Sequence, residues 1–150
     1  MPWDGGFGLV VQDAGFILWR DLHTIVGTWK LVYATARDAT GTALLAPYGG
    51  KAMGRGTFTA DGRMMSVVCD GRKELAAGVG RVYSSYCGNY TYDGAKLVTR
   101  VDAASYPSRS GSDQMRGLRF EGERMVLIPP RRRIGETEEH REIIWERIAE

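Results

Sequence analysis

The chain has 150 residues, 43% of them hydrophobic and 25% charged, and carries a formal net charge of +2. That is the composition of one ordinary globular domain, long enough to bury a core without staples, and its near balance of charge gives no electrostatic case for nucleic acid. No stretch approaches the roughly 18 apolar residues of a membrane helix, and the two cysteines, Cys69 and Cys87, cannot build a disulfide framework, so a reduced, cytoplasmic protein is the expectation.

The first residues, "MPWDGGFGLVVQDAGFILWRD", lack a basic leading region and are interrupted by Asp4 and Asp13, which makes a poor secretory signal. We read residues 1–24 as an N-terminal extension in which "LWRDLH" makes a helical turn that plugs one end. The domain proper is then 25–150. Its first strand is "GTWKLVYATAR", 27–37, where Trp29, Leu31 and Tyr33 alternate against Lys30, Val32 and Ala34. Three hairpins follow, "GRGTFTADGRMMSVVC", "CGNYTYDGAKLVTRV" and "QMRGLRFEGERMVLI", turning at Asp61-Gly62, Asp93-Gly94 and Glu121-Gly122. The Asp-Gly pairs suit two-residue turns that need a positive φ.

Between the first two hairpins, "KELAAGVGRVYSSY" places Leu75, Val79, Val82, Tyr83 and Tyr86 at helical spacing, which predicts a short helical insertion that Gly78 and Gly80 weaken. The run Arg131-Arg132-Arg133 with Glu136, Glu138 and Glu139 reads as a solvated loop, a phosphate-binding patch being the lesser reading. "HREIIWERI", 140–148, closes the chain as a last strand. The fold class is therefore all-β: an up-and-down antiparallel β-barrel of about eight strands, which leaves no free edge.

Taken in order, "GTWKLVYATARDATG", "GTFTADGRMMSV", "YCGNYTYDG…VDAASYP", "QMRGLRFEGERMVLIPP" and "IIWERI" resemble the bacterial lipocalin-like domain family of the calycin group, from about residue 25 to the C-terminus. The resemblance implies a lipocalin-like barrel with Gly27, Trp29 and Arg147 at its closed end, where the guanidinium can lie on the indole face. It implies a lumen that holds a small apolar molecule, but it does not bring one chemistry with it.

The usual catalytic signatures are missing. "GGKAMGRG" has the wrong spacing for a phosphate loop, no Cys-x-x-Cys or His-Glu-x-x-His occurs, and two histidines cannot make a multi-histidine site, so neither a metal nor a cofactor is implied. His140 reads as a strand-end imidazole, with an axial haem ligand as the sharper alternative by analogy with haem-binding barrels, and His23 as a base at the mouth is weaker still. Asn89-Tyr90-Thr91 matches a glycosylation acceptor that means little in a protein that is not secreted.

One strand raises the question on which function turns. "LVTRVDAAS", 97–105, sets Arg100 and Asp102 on one face. A turn at Asp93-Gly94 pairs Tyr92 with Ala95 and collects Tyr90, Tyr92, Leu97, Thr99 and Val101 on the apolar face, which leaves Arg100 and Asp102 in solvent. The next hairpin places Arg116 on the inward face with Leu118, Met125 and Leu127, and a symmetric loop would set it across from Arg100 with Asp102 a diagonal away. Both cannot hold without a bulge. The candidate ligand-binding residues are accordingly Arg116, Arg100, Asp102, Tyr33, Phe58 and Tyr90. They would serve a small hydrophobic or amphipathic, anionic molecule in the lumen. The alternative is a small isomerase, cyclase or lyase acting on a carbonyl or enolate-type substrate, with Asp102 or a tyrosine transferring the proton. No nucleic acid or membrane partner is implied, and association of identical chains is left open.

Overall fold

The computed structural model describes residues 25–150. The chain runs through nine strands: β1 (Gly27–Arg37), β2 (Ala52–Phe58), β3 (Arg63–Asp70), β4 (Tyr83–Tyr92), β5 (Lys96–Ala104), β6 (Asp113–Glu121), β7 (Arg124–Ile128), β8 (Arg132–Ile134) and β9 (Thr137–Ala149). Each pairs antiparallel with its sequence neighbour, except that β7 pairs with β9, and β9 also pairs with β1. Eight strands therefore close a barrel, and β8 is a short flap on the start of β9. Two 3-10 turns, Tyr48–Gly50 and Pro107–Arg109, lie in connections, and the described residues contain no α-helix.

The helical insertion is a correction. Residues 71–82 form an irregular loop, and Tyr83–Tyr86 belong to β4. The apolar periodicity there buries no face: Val79 is 50% and Val82 47% exposed, and two glycines add a helix penalty that no packing offsets. The predicted plug "LWRDLH" and His23 lie outside the described residues.

The inward-facing side chains of alternating strand positions fill the barrel. Trp29, Leu31, Phe58, Met64, Val68, Leu97, Leu118, Met125, Leu127 and Trp145 form one buried cluster. The closed end is sealed as the resemblance implies. The Arg147 guanidinium lies 4.4 Å from the Trp29 ring centroid and donates to the Val26 carbonyl, and the indole N–H of Trp29 donates to the Ile25 carbonyl at 2.9 Å. A stacked guanidinium is worth roughly 0.5–2 kcal/mol, more when water is excluded.

Two bulges decide which residues reach that lumen. In β1, Leu31 pairs with Trp145 but Tyr33 pairs with Ile144, so Val32 is an extra residue. The strict alternation that puts Tyr33 inward fails at that point: Ala34 and Ala36 turn in, and Tyr33 is 46% exposed. In the β4–β5 pair, Gly88 faces Val101 and Cys87 faces Ala103, which makes Asp102 the extra residue. The turn before it also differs by two positions, with Tyr92 opposite Leu97 rather than Ala95. A shift of two conserves faces, so Leu97, Thr99 and Val101 are buried as the apolar pattern requires.

The connections are unequal. At one end lie the short turns after β2, β4 and β6; at the other lie the long segments after β1, β3, β5 and β7. The first kind closes the barrel tightly. The second surrounds its mouth.

Candidate functional site

The lumen holds a cavity of about 60 Å³ lined by Trp29, Phe58, Tyr86, Leu97, Arg116 and Trp145 among others. Of the two glycines of β2, Gly56 lines it. Gly54 lies so close to the Val67 carbonyl that a Cβ would stand 2.5 Å from its oxygen, whereas a Cβ on Gly56 would meet only the Trp145 ring at 3.6 Å and Ser66 at 3.8 Å. The indole of Trp145 therefore lies over Gly56, and its own N–H, fully buried, has no hydrogen-bond partner among the described residues. The Thr99 hydroxyl, also buried, is likewise unpaired among the described residues. Buried polar atoms in this state are uncommon.

Arg116 is the charged member of this lining. It sits on β6 opposite Leu97, not opposite Arg100 as loop symmetry predicts, because β6 pairs with β5 three residues further back. Its guanidinium donates to the Met115 carbonyl at 2.8 Å and to the Gln114 side chain at 3.4 Å, and among the described residues no carboxylate lies within 4.0 Å of it. A half-buried cation in an apolar cavity with neutral partners alone favours an added anion.

Above the lumen the mouth widens to about 470 Å³, lined by Tyr48, Val82, Ser84, Tyr106, Arg109, Arg132 and Arg141 among others. Tyr48 and Ser84 line both spaces and mark the passage between them. Tyr48 is the one described residue other than glycine with a positive φ, +57°. Gly49 beside it, at φ +68°, packs directly on Asp70 and Arg72. Those two are paired at 2.6 Å, and Arg72 holds the Asp70 carboxyl down at about 2. Arg81 donates to the Asp70 carbonyl at 2.7 Å and to the carbonyls of Arg72 and Lys73, which ties the 71–82 loop under the same turn.

The mouth arginines have few counter-charges. Glu139, buried, accepts from Arg132 at 2.5 Å and stands 3.4 Å from Arg141. Arg141 donates to the Pro130 carbonyl at 3.2 Å. Burial, then the field of Arg132, lowers the pKa of Arg141; Glu139 opposes this and Arg116 adds to it. Arg109 donates to the Ser84 hydroxyl at 3.1 Å and lies 5.2 Å from the Tyr106 ring centroid.

The other sequence candidates are placed as follows. Phe58 lines the cavity as expected. Tyr90 faces inward but lies deeper: its ring meets Phe58 edge-on at 5.1 Å and its hydroxyl donates to the Thr59 carbonyl at 2.7 Å. Burial pushes that phenol above its ordinary value. Tyr33 is outside because of the β1 bulge. Arg100 and Asp102 are outside too, since Arg100 pairs with Asp113 at 3.4 Å and Asp102 with Arg63 at 2.7 Å on the solvent face. The hydrogen bond from Arg63, with another from the Cys87 thiol, keeps Asp102 ionised below its ordinary range, so it is an exposed ion pair and not a lumen base. His140 stands opposite Arg37 on the outer face, 2.9 Å from Glu138.

What residue reasoning missed is the mouth. Tyr48 hides in "APYGG", which reads as a bare turn; Arg109 hides in "YPSRSGS"; Arg132 belongs to a run that reads as solvated. Arg141 does alternate with Ile143 and Trp145 along β9, and that alternation was the available signal.

A family model, the lipocalin-like domain, matches residues 26–148. No curated protein matches the chain.

Proposed function

The chain belongs to the lipocalin-like domain family, and from that premise we propose that the barrel binds a small amphipathic anion, its apolar part in the lumen and its charged group at the passage beside Arg116. The observation that carries this reading is Arg116 itself, a guanidinium in a cavity whose other described lining residues are uncharged, with no described carboxylate beside it. At about 60 Å³ the lumen is well below the roughly 300–1,000 Å³ of drug-sized sites, so the apolar part is short and most of the ligand sits in the mouth.

The enzymatic alternative has lost its carboxylate, since Asp102 lies on the outer face. What supports binding rather than turnover is that the described lining of the lumen holds no carboxylate or imidazole, which leaves Tyr48 and Tyr86 as the proton-transfer groups an enzyme would have to use.

The test is calorimetric titration of small aromatic and branched-chain carboxylates into wild type and Arg116→Ala. Arg116→Ala is expected to weaken the tightest of them by more than tenfold, with the fold intact by near-UV circular dichroism. Equal affinity in the two proteins would remove Arg116 from the site.

A further inference from the structure

Resting on the anion-binding reading above, we propose that the charged group beside Arg116 is dianionic, a phosphate monoester carried on a small apolar body, and that Arg109, Arg132 and Arg141 of the mouth complete its ligands. Four guanidinium groups, these three and Arg116, border the lumen and its mouth, and the described carboxylate among them is Glu139 alone. A single carboxylate or enolate would leave most of that positive charge uncompensated. A group of charge near −2 comes closer to balance.

The directions of approach favour phosphate over a flat carboxylate. Arg109 reaches in from the connection between β5 and β6, Arg132 from β8 and Arg141 from β9. Planar forks arriving from separate elements suit the three terminal oxygens of a tetrahedral group, whereas one carboxylate offers a single plane. Each fork is also held in place. Arg109 rests on Ser84 and the Tyr106 ring, Arg132 on Glu139, and Arg141 on the Pro130 carbonyl. Ser84, which anchors Arg109, also lines the lumen, so the phosphate oxygens and the apolar body would lie on either side of one residue.

The charge pattern of the whole barrel points the same way. The three tight turns of the closed end each carry an acid, Asp61, Asp93 and Glu123, while the connections of the mouth, with β8, carry Lys51, Arg72, Lys73, Arg81, Arg109 and Arg131–Arg133 against Asp38, Glu74 and Glu136. Such a field steers an anion to the open end.

The experiment is isothermal titration at pH 8 with three probes of similar size: phenyl phosphate, its monomethyl ester and benzoate. Phenyl phosphate is expected to bind at least tenfold more tightly than the two monoanions, and Arg109→Ala to cut that preference to below threefold. Equal binding of all three probes would overturn the dianion inference and leave the amphipathic-anion reading standing. A preference undiminished in Arg109→Ala would overturn the assignment to this mouth. No binding of any probe, in a protein that melts cooperatively, would sink both readings together.

Discussion

Gly54 and Gly56 stand two residues apart on β2, face the same lumen, and should respond to the same substitution with opposite sign. A methyl group at position 56 would meet carbon atoms at ordinary contact distance, the Trp145 ring at 3.6 and 3.7 Å and the Ser66 Cβ at 3.8 Å, inside a cavity of about 60 Å³. Burying one methyl group is worth about 0.8 kcal/mol. Replacing glycine in extended backbone adds about 0.4–1 kcal/mol by narrowing the unfolded ensemble. Gly56→Ala is therefore expected to stabilise by roughly 1–2 kcal/mol, a rise of about 2–7 °C in Tm for a domain of this size. At position 54 the methyl carbon would stand 2.5 Å from the Val67 carbonyl oxygen, a backbone atom fixed in the β2–β3 ladder. Relieving that overlap costs about 1–3 kcal/mol, more than the entropy gain returns. Scanning calorimetry of the two variants reads the signs directly, and titration with phenyl phosphate or benzoate should show Gly56→Ala more stable yet weaker in binding. A Gly56→Ala protein less stable than wild type would mean that the space over Gly56 is not there, and the cavity argument would fall with it.

Three other expectations concern the frame around the site. The Asp70 carboxyl, held at about 2 by Arg72, lies below the ordinary value of about 3.9, so the unfolded chain binds the extra proton first as pH falls. Its contribution is full above about pH 4 and is lost as pH falls through 2; Asp70→Asn should flatten urea midpoints over that window, and an unchanged acid limb would contradict the pairing. A Cβ on Gly88 would overlap the Arg100 carbonyl at the β5 bulge, so Gly88→Ala should destabilise by about 3 kcal/mol or more in chemical denaturation, and near-wild-type stability would place the bulge elsewhere. Arg147→Ala should cost about 1–3 kcal/mol by removing the guanidinium from Trp29 and its bond to Val26, with a red shift in tryptophan emission; a silent variant would show that the closed end is sealed without it.

How far the sequence could be read depended on whether a pattern was local. The alternation of Leu97, Thr99 and Val101, and of Leu118 and Phe120 with Met125 and Leu127, survives in the structure because a half-buried strand cannot slip by one residue without exposing its core. Tyr33 was misplaced because a bulge inserts one residue with no mark in the sequence, and Val32 looks like any strand valine. Arg116 was placed inward by its own hairpin, but its partner was guessed from loop symmetry, and the Pro107–Arg109 turn breaks that symmetry. The mouth arginines could not be grouped at all, since Arg109, Arg132 and Arg141 meet only through closure of the barrel.

That closure sets an order on the life of the chain. Every strand pair but one joins near neighbours and can form soon after it is synthesised, whereas β1 and β9 meet across nearly the whole described chain, with Thr28 opposite Ala149. Long-range pairing of this kind is the slow step in folding, because loop-closure entropy is lost before any contact rewards it. Trp29 and Trp145 come from those two strands, so the lumen does not exist until the seam is shut. A molecule seated between them can bind only the sealed barrel, and by mass action it acts as a latch on the seam that closes last.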